Sequence, residues 1–343
     1  MSTNITRRSA IGLVAASPAL LAATTADRPA PIDESGFIRI GGIEQWVGIR
    51  GRDRRHPVLL YLHGGPGEAQ SPFLREFLPW EADFTVVNWD QRGSGRTYGK
   101  NGPATPGMST PEEALQRVSE DAREVAEYAR SRLHKKKVIL VGQSWGAELG
   151  LRVAKRWPEL FHAFVGTGQP VSWHLKIASQ ERWAREQATA AGDQATLKAL
   201  DDTVSLPEND RRRIMASGKY RLSPSDREYA RNFEAFTGPA PTPTQGDVAD
   251  WIAGGQFTFM KLAPVEYSLD ARQLGLDFPI PFFVIQGRDD HIAPFEVAEA
   301  YVSEVRAPKK AFIPIEGGHW ACFTNASAFV AALRQHVQPL ARD

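Results

Sequence analysis

The run Gly142-Gln143-Ser144-Trp145-Gly146 sets a serine between glycines directly after the apolar stretch Val138-Ile139-Leu140-Val141. An abrupt strand-to-helix turn forces its central residue into strained dihedrals, and small residues two positions to either side let the hydroxyl stand clear of the backbone. Ser144 is therefore the candidate nucleophile. It needs a base and an acid that orients the base, and in an open parallel sheet such groups gather beyond the carboxyl ends of other strands. Gly287-Arg288-Asp289-Asp290 follows the candidate strand 281–286, and Glu316-Gly317-Gly318-His319-Trp320 follows 311–315. His319 would take the Ser144 proton during attack on a carbonyl carbon and hand it to the leaving group, because imidazole titrates near working pH. Asp290 would fix the imidazole tautomer and stabilise its cation. Asp289 is the rival, and Asp290 is preferred because it leaves a loop before the helix expected from Pro294.

A tetrahedral intermediate also needs preformed donors for its negative oxygen. The Trp145 amide, at a helix N-terminus, is one. The second is expected from His63-Gly64-Gly65-Pro66-Gly67, with Gly65 preferred and Gly64 the alternative, because glycines let the backbone approach a substrate closely. His63 is expected to be a hydrogen-bonded structural residue, and Asp90 and Arg92 to brace this region as a charged pair. Glu148, four residues beyond Ser144, fits a favourable helix-end charge and a role in the site equally well. Cys322 is expected to pack, and Trp145 and Trp320 to wall the pocket.

Positioning these groups requires short strands alternating with helices, hence an α/β fold with a mostly parallel sheet covered on both faces. An opening hairpin spans 37–40 and 43–49, and strands are expected at 58–62, 84–89, 137–141, 163–166, 281–286 and 311–315. Helices are expected at 111–133, 145–157, 294–305 and 325–337; the first opens on Pro111 with Glu112 and Glu113 in its first turn. The alternation breaks at 169–275, where helical patches rich in Trp, Arg, Glu and Ala are split by Pro239-Ala240-Pro241-Thr242-Pro243. So long an insertion between strands should be a helical cap over the strand ends. The expected organisation is a core of 37–168 and 276–343 carrying the cap 169–275.

Composition narrows the function classes. The 343 residues contain 41 basic and 40 acidic side chains for a net charge of +1, with both signs mixed along the chain, which gives no footprint for nucleic acid or anionic lipid. The single cysteine excludes an internal disulfide. No metal-ligand spacing is present, so neither a metal nor another cofactor is expected. The N-terminus carries Arg7-Arg8 and then an uncharged stretch over 10–23, with small residues Thr24-Thr25-Ala26 beyond it. This is the layout of an export signal over 1–26, too short for a transmembrane span and similar to a twin-arginine signal. The expected location is the periplasm, with no membrane attachment after signal removal.

Four blocks together resemble the prolyl aminopeptidase (proline iminopeptidase) family of α/β-hydrolases: His63 to Gly67, Asp90-Gln91-Arg92-Gly93-Ser94-Gly95-Arg96, Gly142 to Gly146, and Gly287 to Asp290 with Gly318-His319. The chain order Ser, Asp, His agrees with that fold. The resemblance implies an α/β-hydrolase fold and a serine peptidase that removes an N-terminal residue, often proline, from short peptides. It also implies cap glutamates that hold the substrate ammonium, commonly within a Trp-x-x-Trp-Glu stretch. This chain lacks that stretch and offers Glu186, after Trp183-Ala184-Arg185, and Glu234, after Phe233. The alternatives are a carboxylic-ester or lactone hydrolase on a small substrate and a non-catalytic binding protein on the same fold.

Overall fold

The computed structural model describes residues 30–234 and 245–341. The expected export signal and the proline-rich loop at 239–243 lie outside the described residues. Eight strands form one sheet: β1 (Ile32–Ile40), β2 (Ile43–Gly51), β3 (Val58–Leu62), β4 (Thr85–Trp89), β5 (Val138–Gln143), β6 (Phe161–Thr167), β7 (Phe282–Gly287) and β8 (Lys310–Ile315). Their spatial order is β1-β2-β4-β3-β5-β6-β7-β8. The pairs β1/β2 and β2/β4 are antiparallel and all others parallel.

Residue type explains this order. β3 and β5 are buried on both faces and read as unbroken apolar runs, as central parallel strands do. β1, at the edge, alternates buried and exposed positions, so one of its faces meets solvent. The two-residue period of β3 divides the core: Leu60 and Leu62 join Val118, Leu149 and Phe164 on one side, while Leu59 and Tyr61 join Trp80, Phe283 and Phe329 on the other.

The first core side is covered by α2 (Pro111–Leu133), following the short α1 (Gly95–Asn101), and by α3 (Trp145–Arg156). α2 has the expected bounds because both ends are signalled: the Thr110 side chain accepts the Glu113 amide at 3.2 Å, and His134 ends the helix in the left-handed region. α1 was not legible in the sequence, being about two turns with glycine at 95 and 99 and no apolar periodicity.

Between β6 and β7 the described residues contain no strand of the sheet. They form α4 (Trp173–Ala191), α5 (Gln194–Thr203), α6 (Arg211–Ala216), α7 (Pro224–Glu234) and α8 (Gln245–Tyr267). α8 is seated on the core: Thr258 Oγ1 donates to Gly93 O at 2.7 Å, Trp251 Nε1 to Ala69 O at 2.9 Å, and Arg96 pairs with Asp247 at 2.9 Å. Beyond β7 come α9 (Phe295–Glu304), then after β8 α10 (Ala321–Thr324) and α11 (Ala326–His336), which closes the second core side.

The loop after β4 is held from beneath by a buried pair. Arg92 donates to both Asp121 oxygens on α2, at 2.7 and 3.0 Å, and also to Pro106 O and Gly41 O. Both side chains are fully buried, so removing one leaves an uncompensated charge. Asp121→Ala should lower the unfolding free energy by about 3 to 5 kcal/mol, read from urea midpoints at unchanged slope; a loss below about 1 kcal/mol would show the pair to be dispensable.

Candidate active site

β5 runs straight into α3, and the joint is Ser144, at φ 53° and ψ −122°. A non-glycine residue in that region costs of the order of 1 to 3 kcal/mol and persists only where its surroundings impose it. Here they do. A Cβ on Gly146 would lie 2.0 Å from Leu62 O, and one on Gly142 would lie 2.3 Å from Gly146 O, so α3 can cross the end of β3 only with glycine at both positions. The Ser144 amide donates to Thr167 O at 2.9 Å, tying the turn to β6.

The loops after β7 and β8 bring Asp290 and His319 together, both buried. His319 Nδ1 lies 3.0 and 3.1 Å from the two Asp290 oxygens. The carboxylate is itself fixed by the amides of Ile292 and Ala293 at 2.9 and 2.8 Å and by Gln286 Nε2 at 2.8 Å. Asp289, the rival in the sequence, is exposed. Burial alone would push the His319 pKa down, but the charge and hydrogen bond of Asp290 outweigh it, with smaller help from Asp226 and Glu68, so it stands above the ordinary histidine value. With Nδ1 held by Asp290, Nε2 is the ring nitrogen left for proton transfer. Ser144 and His319 line one cavity of about 460 Å³ together with Gly65 and Trp320. The Ser144 hydroxyl makes no hydrogen bond among the described residues; such contacts commonly tighten only when substrate binds.

The loop 63–67 lies against the elbow, where a Cβ on Gly64 would stand 3.2 Å from Ser144 Cβ. Gly65 adopts φ 113°, open to glycine. Neither the Gly65 amide nor the Trp145 amide donates to a backbone acceptor among the described residues. Both are thus without a backbone partner, one directly after Ser144 and one in the loop that lies against it. His63 is buried with Nδ1 donating to Gly64 O at 2.9 Å and Nε2 accepting the Gln91 amide at 3.2 Å. Burial lowers its pKa to about 4, so it stays neutral and structural. Gln91 completes the network, donating to His63 O at 3.0 Å and accepting Trp145 Nε1 at 3.1 Å.

The expected Asp90–Arg92 pair does not form. Arg92 turns down to Asp121, while Asp90 accepts Ser71 Oγ at 2.6 Å and the Arg96 amide at 2.9 Å. Asp90 needs no counter-ion because the Ser71 hydroxyl, beyond β3, and the Arg96 amide, at the start of α1, satisfy it. Glu148 is fully buried on α3 with Arg152 at 3.4 Å, and desolvation, outweighing that cation, raises its pKa to about 8. Cys322 is packed in the second core side.

Among the described residues, the acidic side chains lining the cavity do not include Glu186. Glu186 is exposed on α4 and does not line it, because the α4 face carrying Ile177 and Ala184 is the buried one. The side chain of Glu234 lies outside the described residues. Glu68, next to the glycine loop, and Glu266, near the end of α8, line the cavity instead. Glu266 is paired with Lys176 at 2.9 Å. Glu68 is half-buried and its carboxylate has no hydrogen bond or ion pair among the described residues. Burial raises its pKa, nearby His319 lowers it, and Glu266 raises it again. Its position directly after Gly67 was a usable signal, since a side chain flanking an oxyanion loop is poised to meet substrate.

Asp226 was missed altogether. Fully buried on α7, it accepts the His319 amide at 2.9 Å and the Trp320 amide at 3.2 Å. Ser223 and Asp226 also form a reciprocal cap at the start of α7, with Asp226 N to Ser223 Oγ at 3.1 Å and Ser223 N to Asp226 Oδ2 at 3.3 Å. That local pattern was legible, whereas the second duty spans 93 residues of sequence.

Residues 57–326 match the family described as alpha/beta hydrolase fold. A probable aminopeptidase of Bacillus subtilis is 27% identical over 311 residues, covering 88% of this chain and 95% of that protein. A proline iminopeptidase of Lacticaseibacillus rhamnosus is 24% identical over 309 residues, covering 88% and 94%. Among solved structures, a proline iminopeptidase-related protein from Thermus thermophilus superposes with a TM-score of 0.62 at 21% identity, covering 90% of this chain and 99% of that one. At that identity the likeness shows the fold, which is the one described above. The chain resembles prolyl aminopeptidases, and by the extent of the family match it belongs to the α/β-hydrolase fold family.

Proposed function

We propose that this hydrolase is a serine aminopeptidase of the proline iminopeptidase type, acting on short peptides through an acyl-enzyme at Ser144. One observation carries the proposal: a single cavity is lined by Ser144 at its strained elbow, by His319 held on Asp290, and by the unpaired carboxylate of Glu68. His319 Nε2 takes the Ser144 proton as the oxygen attacks the scissile carbonyl, and Asp290 stabilises the imidazolium. The amides of Gly65 and Trp145 receive the oxyanion. The proton passes to the departing amine, and water then repeats the sequence on the acyl-enzyme. Glu68 holds the substrate ammonium, with Glu266 close enough to influence it.

An ester or lactone hydrolase would use the same three side chains. A half-buried free carboxylate in the cavity favours a cationic substrate group over a neutral ester, because a neutral ligand would leave that charge uncompensated. The discriminating measurement compares release from a prolyl arylamide with release from a small p-nitrophenyl ester, with Ser144→Ala as blank. Arylamide turnover is expected; ester turnover with no arylamide cleavage would retire the peptidase proposal. A fluorophosphonate probe should label the wild type and leave Ser144→Ala unlabelled, and equal labelling of both would remove Ser144 as nucleophile.

Two further outcomes follow from the charges. Activity requires neutral His319, so the acid limb of kcat/KM follows its pKa, which Asp290 holds up. Asp290→Asn should move that limb to lower pH and reduce kcat by about 10⁴-fold; an unmoved limb would assign the orienting role elsewhere. Glu68→Gln should lower kcat/KM on the prolyl arylamide by roughly 10- to 100-fold, as for a lost charged hydrogen bond, and leave ester turnover within a few-fold. An equal loss on both substrates would make Glu68 structural.

A further inference from the structure

The cap places one arginine in the catalytic cavity with nothing to pair it. Arg221 follows the turn Gly218–Tyr220, is half-buried, and lines the same cavity as Ser144, His319 and Glu68. It makes no hydrogen bond or ion pair among the described residues. Its cap neighbours behave differently: Arg213 clamps Glu181 at 2.7 and 3.0 Å, Arg185 meets Asp201 at 2.8 Å, and Arg182 meets Glu296 at 2.7 Å. Burial disfavours the Arg221 charge and no acidic neighbour offsets it. Such a group is costly to keep unless a ligand completes it.

The remaining charges of the cavity specify that ligand. Lys176 and Glu266 neutralise one another at 2.9 Å. What is left uncompensated is one carboxylate, Glu68 on the core loop, and one guanidinium, Arg221 on the cap. A guanidinium presents a planar fork that matches a carboxylate with two parallel hydrogen bonds. A cavity of about 460 Å³ is of the size that holds a small ligand.

We propose that Arg221 binds the free C-terminal carboxylate of the substrate, so that the cavity selects zwitterionic peptides of two or three residues. The proposal rests on the aminopeptidase function above for the identity of the substrate's other end. The carboxylate site itself is read from the unpaired arginine. It makes the enzyme a peptidase of dipeptide-like substrates, in which length is measured by charge at both ends, and it disfavours C-terminally amidated peptides of the same length.

Binding separates this site from the hydrolytic function. Titration calorimetry on Ser144→Ala with Pro-Ala and with its C-terminal amide should show the acid bound roughly 10- to 100-fold more tightly, the range of a charged hydrogen-bonded contact. Adding Arg221→Met should erase the difference, and Arg221→Lys should keep part of it, since the charge remains and the fork does not. Melting curves of both double variants verify that they are folded. Equal affinity for acid and amide, including no detectable binding of either, overturns the proposal, as does a preference that survives Arg221→Met. The arylamide assay on wild-type protein reports separately on the aminopeptidase function: a carboxylate preference in binding without arylamide cleavage would keep the Arg221 site and remove the peptidase.

Discussion

The crossing of α3 over the end of β3 is the constraint from which the site follows. It is possible only because Gly142 and Gly146 have no side chain: a methyl group at 146 would stand 2.0 Å from Leu62 O. Closing that gap fixes two things together. Ser144 is forced to φ 53°, lifting its hydroxyl from the sheet, and the loop leaving β3 is brought against it, with Gly64 beside Ser144. The residue after Ser144 and the loop 63–67 beside it therefore take their places together, as consequences of one packing contact. The strain of the elbow, about 1 to 3 kcal/mol, is offset by the apolar burial of β3, β5 and α3 around it.

The parts of the site carried by strand ends were legible in the sequence, and the parts carried by the cap were not. Ser144, Asp290 and His319 each follow an apolar run bounded by glycine, and a parallel sheet aligns such ends at one rim whatever the intervening chain does. The cap has no equivalent rule. Its helices are amphipathic about several neighbours, so composition did not tell which face of α4 looks inward; Glu186 sits on the outer one while Lys176, ten residues earlier, reaches the cavity. Charged partners failed for a related reason. Asp90 and Arg92 are two residues apart, a spacing that shares a face only while a strand continues; β4 ends at Trp89, and Arg92 finds Asp121 across 29 residues instead.

The cap also takes part in holding His319. Asp226, on α7, is the acceptor for the amides of His319 and Trp320, and a Cβ on Gly318 would lie 1.9 Å from its carboxylate. The loop after β8 thus needs glycine at 318 to admit a carboxylate from another layer of the molecule. The same carboxylate adds, with Asp290 and Glu68, to the negative surroundings that raise the proton affinity of His319. Basicity and position of the imidazole are therefore set partly from outside the sheet that carries it.

This coupling ties cap placement to the position of His319. Displacing α7 from the core would withdraw Asp226 and leave two amide donors without a partner, at about 1 to 3 kcal/mol for a buried one. It would also take Arg221, five residues earlier in the chain, out of the cavity. On the other side α8 is bolted to the glycine loops through Thr258 and Trp251, so Glu266 stays fixed to the core. The cap is thereby held through α7 and α8 to the loop bearing His319 and to the loops after β3 and β4. Any shift of the cap would therefore disturb at once the amide contacts that hold the His319 loop and the hydrogen bonds that hold the loops after β3 and β4.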